Sequence, residues 1–172
     1  MTEAKQATAL REGQEALRAG NFAGAAAIAG RVLEGDPEDC DALYLAAVAH
    51  RYLKDFTRAD ELLRQLRSVS PEFGRAWQEA GHLARAQQDT AGALAAYARA
   101  CRYNPALEAS WRAQADLLDQ AGRVGEAAAA RAQAERLKQL PRELVAVMNH
   151  LHEGRPLRAE EICRHHLRGN PR

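Results

Sequence analysis

Aromatic residues are scarce in this sequence, at 5%, and hydroxyl side chains are scarcer, with three Ser and four Thr in 172 positions. A sheet draws on Val, Ile, Thr and aromatics for its pleated faces, so the shortage counts against one and leaves burial to Ala and Leu in closely packed helices. No charge sign dominates: 24 Lys and Arg face 23 Asp and Glu, for a formal net charge of +1. That balance gives no long-range field, and neither nucleic acid nor an anionic membrane is expected as a partner. Long apolar runs are missing as well. The opening stretch MTEAKQATALREGQEAL carries charges every few residues and reads as neither a signal peptide nor a transmembrane helix. Cysteine is limited to Cys40, Cys101 and Cys163, odd in number and without a C-x-x-C, which favours reduced thiols and a cytoplasmic address over a disulfide framework.

Catalytic signatures are missing in the same way. The sequence has no phosphate-cradling G-x-x-x-x-G-K-[ST], no H-E-x-x-H and no G-x-S-x-G, and Ser68, Ser70 and Ser110 lack the strained turn that presents a nucleophile. Glu160 and Glu161 are adjacent, so their carboxylates diverge around a helix. No enzyme activity and no cofactor is expected of this chain.

What is present is a repeat. Asp36-Pro37, Ser70-Pro71 and Asn104-Pro105 recur every 34 residues, and Ala25, Ala59, Ala93 and Ala127 keep the same period. A turn recurs in register at Gly20-Asn21-Phe22, Lys54-Asp55-Phe56, Gln88-Asp89-Thr90 and Gly122-Arg123-Val124. The phase then slips by two, since Gly154 and Ala159 lie 32 residues beyond Gly122 and Ala127; the slip is expected near Leu140-Pro141, with Asn170-Pro171 closing a fifth unit. Small residues let two helices approach closely, so Gly81 and Ala93 mark a helix contact, with Trp77, Ala84 and Tyr97 filling the space toward the next unit. Proline ends each second helix because it lacks an N–H and disfavours a helical residue before it. Asn21, Asp55 and Asp89 suit N-caps, and Pro156 suits a first helical position. The spacing predicts ten helices, at about 5–19, 22–34, 39–53, 56–69, 73–87, 90–103, 107–121, 124–139, 142–153 and 156–168, with no strands.

These residues resemble the tetratricopeptide repeat (TPR), a 34-residue helix-turn-helix with Trp, Leu-Gly, Tyr, Ala, aromatic and Pro at fixed offsets. The third unit matches best, through Trp77, Gly81, Ala93, Tyr97, Ala100 and Pro105. The resemblance implies an all-α, right-handed superhelical array over residues 1–172, one domain of about five repeats at roughly 6–39, 40–73, 74–107, 108–139 and 140–172. It also implies a protein-interaction scaffold that holds a peptide or protein segment in a concave groove lined by the first helix of each repeat. Carried onto this sequence, the groove positions are Asp41, Tyr44, Val48, Arg51 and Tyr52, then Arg75, Gln78, His82 and Arg85, then Arg112, Asp116 and Asp119. Arg51, Arg75, Arg85 and Arg112 suit an extended peptide with acidic groups or a C-terminal carboxylate; the competing reading is an ordinary solvated helix face. The family's chaperone-gripping clamp needs Lys and Asn where Leu10, Gln14, Tyr44 and Val48 stand, which argues against that role.

Two alternatives come from the C-terminal run. LPRELVAVMNHLHEGRPLRAEEICRHHLRGNP is similar to repeats preceding the catalytic domain of bacterial TPR-containing sulfotransferases, which makes the chain the arm of a larger enzyme; the sulfonucleotide-binding loop is absent from the sequence. The last pair has no obvious polar capping helix, so either more chain follows it or its exposed face docks, and self-association through the terminal repeat is a third reading. Cys163 with His166, and His150 with His152, suggest zinc, but the spacing is no ligand pattern; a packed Cys163 and surface imidazoles are the preferred reading, with no metal site.

Overall fold

The computed structural model describes residues 3–169, so the expected closing Asn170-Pro171 lies outside the described residues. Ten helices follow one another: α1 (Glu3–Arg18), α2 (Phe22–Gly35), α3 (Cys40–Tyr52), α4 (Phe56–Val69), α5 (Gly74–Ala86), α6 (Thr90–Tyr103), α7 (Glu108–Gln120), α8 (Val124–Lys138), α9 (Arg142–His152) and α10 (Pro156–Gly169). No strand occurs among the described residues. Consecutive helices pack as pairs, and the chain divides into two compact units, Met1–Pro71 and Glu72–Arg172.

Local chemistry sets the helix ends. Asn21 Oδ1 accepts from Gly24 N at 2.9 Å, Asp55 Oδ1 from Arg58 N at 3.2 Å and Asp89 Oδ1 from Gly92 N at 2.8 Å, so α2, α4 and α6 start on the anticipated caps. Asp39 caps α3 in the same way, accepting from Ala42 N at 2.7 Å, a cap the sequence pattern left unremarked. The residue two before each second helix is left-handed: Gly20, Lys54, Gln88, Gly122 and Gly154 have φ of 77°, 62°, 63°, 71° and 69°. Three are glycine, the residue that takes this conformation at no steric cost.

In the first unit the core runs through Ala25, Ala29 and Val32 of α2, most of α3, and Ala59, Leu62, Leu63 and Leu66 of α4. In the second unit Ala93, Tyr97, Ala113 and Leu117 form one cluster with Ala84 and Leu94 packed against it, and Ala115, Leu118, Ala127 and Ala130 form the next. The periodic Ala25, Ala59, Ala93 and Ala127 are each 0% exposed, as residues must be where backbones approach. Gly81 is the close approach in α5: a Cβ there would sit 2.6 Å from the Tyr97 ring, so the residue it faces is Tyr97 rather than Ala93. Ala84 and Tyr97 fill the space toward α7. Trp77 instead stacks on Tyr103 within its own pair, centroids 6.4 Å apart, with the Arg99 guanidinium 4.6 Å over its ring.

The last pair joins the second unit differently. α9 and α10 pack on each other, but α9 does not run along α8 as α7 runs along α6. No residue of α9 is buried. Its turn into α10 reaches back to the start of α5 and the end of α6, where Glu153 meets Arg75 and Asn149 meets Asn104.

Candidate interaction surface

On α3 the anticipated positions separate into two groups. Ala42, Leu43, Leu45, Ala46, Ala47, Val48 and Ala49 are all buried, so the helix is enclosed on most sides. Val48, 8% exposed, belongs to that core and lines no open face, which corrects the expectation. Tyr44 is half-buried, and Arg51 and Tyr52 end the helix. Tyr52 is 51% exposed. Its ring stacks on Phe22 with centroids 4.4 Å apart and planes 5° from parallel, and the Arg51 guanidinium lies 4.3 Å over the same ring. The result is a flat aromatic platform carrying a cation, held by the start of α2 and the end of α3.

In the second unit Arg75, Gln78, His82 and Arg85 recur at i, i+3, i+7 and i+10 along α5, which keeps them on one face. Three of the four are engaged within the protein. Gln78 Oε1 accepts from Ser110 Oγ at 2.9 Å, and Ser110 is fully buried. His82 Nδ1 lies 2.7 Å from the Tyr97 hydroxyl, the rings edge to face at 72°. Arg75 Nε lies 2.5 Å from Glu153 Oε1, and its Nη2 donates to Oε2 at 2.9 Å. Arg85 is exposed. On α7, Arg112 and Asp116 are exposed, Arg112 within 3.4 Å of Glu108 one turn earlier, and Asp119 pairs with Arg131 of α8.

The groups that raised catalytic or metal readings are dispersed. Ser68 Oγ donates to Gln65 O at 2.7 Å. Glu160 and Glu161 pair on the surface with Arg164 at 2.7 Å and Arg158 at 2.9 Å. Burial pushes the Cys101 thiol up to about 12, which leaves it protonated and unreactive near neutral pH. Cys163 is exposed, a correction to the packed position anticipated for it, and lines an open apolar cleft with Pro141, Leu144, Val147, Ile162 and His166. His150 faces Glu153 instead, its Nδ1 4.0 Å from Oε2. Among the described residues no three His, Cys, Asp or Glu side chains converge to hold a metal ion. No helix among them is long and apolar enough to cross a membrane.

Sequence reasoning missed Phe73, Asn104, Asn149 and Glu153 as surface determinants. Phe73 lies under two guanidiniums, with Arg75 Cζ 5.2 Å and Arg155 Cζ 5.8 Å from its ring centre. Asn104 Nδ2 donates to Asn149 Oδ1 at 2.9 Å. The available signal was the two-residue phase slip before α9, which marks the fifth pair as placed differently.

Residues 16–80 match the family model described as tetratricopeptide repeat. No curated protein matches the sequence. Among solved structures, a thermophilic TPR protein of Thermus thermophilus is 21% identical with a TM-score of 0.67, the alignment covering 97% of this chain and 92% of that one. MamA is 16% identical with a TM-score of 0.63 over the same shares, 97% and 92%. The first TPR of Spaghetti (RPAP3), solved bound to the HSP90 peptide SRMEEVD, is 16% identical with a TM-score of 0.63, covering 71% of this chain and 97% of that one. Residues 16–80 thus carry the tetratricopeptide-repeat match, and helix pairs built on the same markers continue beyond them.

Proposed function

We propose that the protein is a non-catalytic scaffold whose first-helix faces capture an extended segment of a protein partner. The observation that carries this reading is the composition of those faces. In the second unit the neighbouring Ala113, Ala115, Leu117 and Leu118 are buried, while Arg85, Arg112 and Asp116 remain exposed. Guanidiniums offer paired donors that match a carboxylate, so acidic groups on the partner suit Arg85 and Arg112. Gln78 and His82 are oriented by their bonds to Ser110 and Tyr97, which lowers the entropy lost when a segment binds beside them. The first unit has a contact area of its own in Tyr44, Arg51 and Tyr52, with Tyr52 held flat on Phe22. Val48 drops out of the set through burial, and Arg75 is committed to Glu153.

The test is charge reversal at two exposed positions, Arg85→Glu with Arg112→Glu, followed by affinity capture from lysate and mass spectrometry. Loss of specific captured proteins with unchanged far-UV circular dichroism supports the reading. An unchanged captured set removes these faces from it.

A further inference from the structure

The C-terminal hairpin inverts the usual order of burial. Leu144 and Leu151 of α9 are 44% and 54% exposed, while the Glu153 side chain that follows is 2% exposed. A carboxylate taken out of water must recover its lost hydration from charged or hydrogen-bonding neighbours. Glu153 finds Arg75 at 2.5 and 2.9 Å, Arg155 at 3.8 Å and His150 at 4.0 Å. It also answers a deficit in α5, whose first turn carries no acidic residue and whose N-cap makes no side-chain hydrogen bond.

The surface that receives Glu153 belongs to the start of α5 and the end of α6, and Asn104 within it has contacts that do not involve the hairpin. Gly74 lies so close to Asn104 that a Cβ on it would fall 2.6 Å from the Asn104 Cβ, and Asn104 Oδ1 accepts from Ala106 N at 3.0 Å. The hairpin is the loosely held partner: nothing on α9 is buried, and the bonds by which Asn149 and Glu153 reach α5 and α6 are polar. These two residues are four apart and share a helix face.

We propose that the Phe73–Arg75–Asn104 surface is a docking site for an acidic helical segment of a partner protein, occupied in cis by Asn149 and Glu153, so that the partner must displace the C-terminal hairpin. This deepens the scaffold reading and rests on it. The ligand chemistry follows from the occupant: an amide side chain with a carboxylate one helical turn later, the amide for Asn104 and the carboxylate for Arg75. A cis occupant lowers the fraction of molecules able to bind and weakens apparent affinity by that fraction.

The experiment uses the full chain and a fluorescein-labelled peptide RELVAVMNHLHEGRP, which copies residues 142–156, read by fluorescence polarisation with light scattering on each sample. Glu153→Gln keeps the side-chain shape and removes the competing charge, and Glu153→Ala serves as the second variant. Both are expected to bind the peptide about tenfold more tightly than the unaltered chain. A peptide with Gln in place of the Glu that copies Glu153 should lose most of that affinity, and adding Arg75→Gln to the protein should abolish the gain. Equal affinity of variant and unaltered chain, or indifference to the carboxylate that copies Glu153, overturns the proposal. So does peptide uptake that only reverses dimerisation, which would assign the surface to exchange of hairpins between copies. The Arg85 and Arg112 reversals lie off this surface, so a failure here leaves the scaffold reading to that separate test.

Discussion

Replacing Gly81 by Ala should destabilise the protein although it improves helix propensity. Glycine in a helix interior costs about 1 kcal/mol relative to alanine, so a neutral site would gain that amount. At Gly81 the new Cβ would meet Tyr97 Cε1, Cδ1 and Cζ at 2.6, 2.7 and 2.9 Å. Ordinary carbon contacts lie at about 3.5–4.0 Å, so ring or helix must move by about 1 Å. Tyr97 has nowhere to go: it is 0% exposed, packs against Ala93, Ala113 and Leu117, and its hydroxyl bonds His82 Nδ1 at 2.7 Å. Overpacking of this kind costs about 1–3 kcal/mol, and the locked ring argues for the upper end. Subtracting the propensity gain leaves a loss of about 2 kcal/mol, or about 4–8 °C in Tm for a chain of this size. Thermal and urea denaturation followed by circular dichroism would measure it. Gly30→Ala is the control, since its Cβ meets nothing within 4 Å, and it should stabilise by up to about 1 kcal/mol. In a Tyr97→Leu background the ring is gone and Gly81→Ala should turn neutral or favourable. A Gly81→Ala protein as stable as its parent would refute the contact as the reason for glycine there.

Lys54 and Gln88 hold left-handed backbone where Gly20 and Gly122 stand in neighbouring repeats; Lys54→Gly and Gln88→Gly should each raise stability by about 1 kcal/mol, and a fall in Tm would count against strain at these turns. Asp89→Ala removes the cap on α6 and should cost about 1 kcal/mol, seen as a lower urea midpoint. Burial holds the His150 imidazole below its ordinary 6.5, with Glu153 opposing and Arg155, Arg75 and Arg158 adding to the depression. The folded state therefore binds this proton less well than the unfolded state, so its contribution is complete above 6.5 and is lost as pH falls from there through the folded value. The fall in denaturation midpoint on acidification should be smaller in His150→Gln than in the unaltered chain.

The helices were legible because their boundary signals are local. The caps at Asn21, Asp55 and Asp89, the prolines at 37, 71 and 105, and Pro156 act within one turn of themselves, and helix ends fall within two residues of the pattern. Buried small residues were equally legible, since Ala25, Ala59, Ala93 and Ala127 recur with the period that brings backbones together. Val48 was misread because a family position was trusted over composition. CDALYLAAVAH is apolar nearly all round, the mark of an enclosed helix rather than of one with an open face. Glu153 with Arg75 joins residues 78 apart. No periodicity or cap encodes such a pair, because it depends on where a whole hairpin lands.

What decides that landing is the link before α9. The earlier links into first helices, Asp36–Asp39, Ser70–Phe73 and Asn104–Leu107, run four residues with proline second. The link from α8 to α9 is Gln139–Pro141, three residues with proline last, standing at the N-cap of α9. α9 is also shorter, 11 residues against 13 for α3, α5 and α7. Proline fixes its own φ and restricts the residue before it, so moving it from second to last position changes the direction in which the chain leaves α8. Replacing Gln139–Pro141 by Asn-Pro-Ala-Leu, the α6–α7 link, should restore that direction and draw α9 along α8. The hydrogen-exchange protection of α9 amides should then rise, and the distance between spin labels on α5 and on the Glu153 turn should lengthen. If the exchanged link leaves that distance unchanged, the Arg75–Glu153 pair and not the link positions the hairpin.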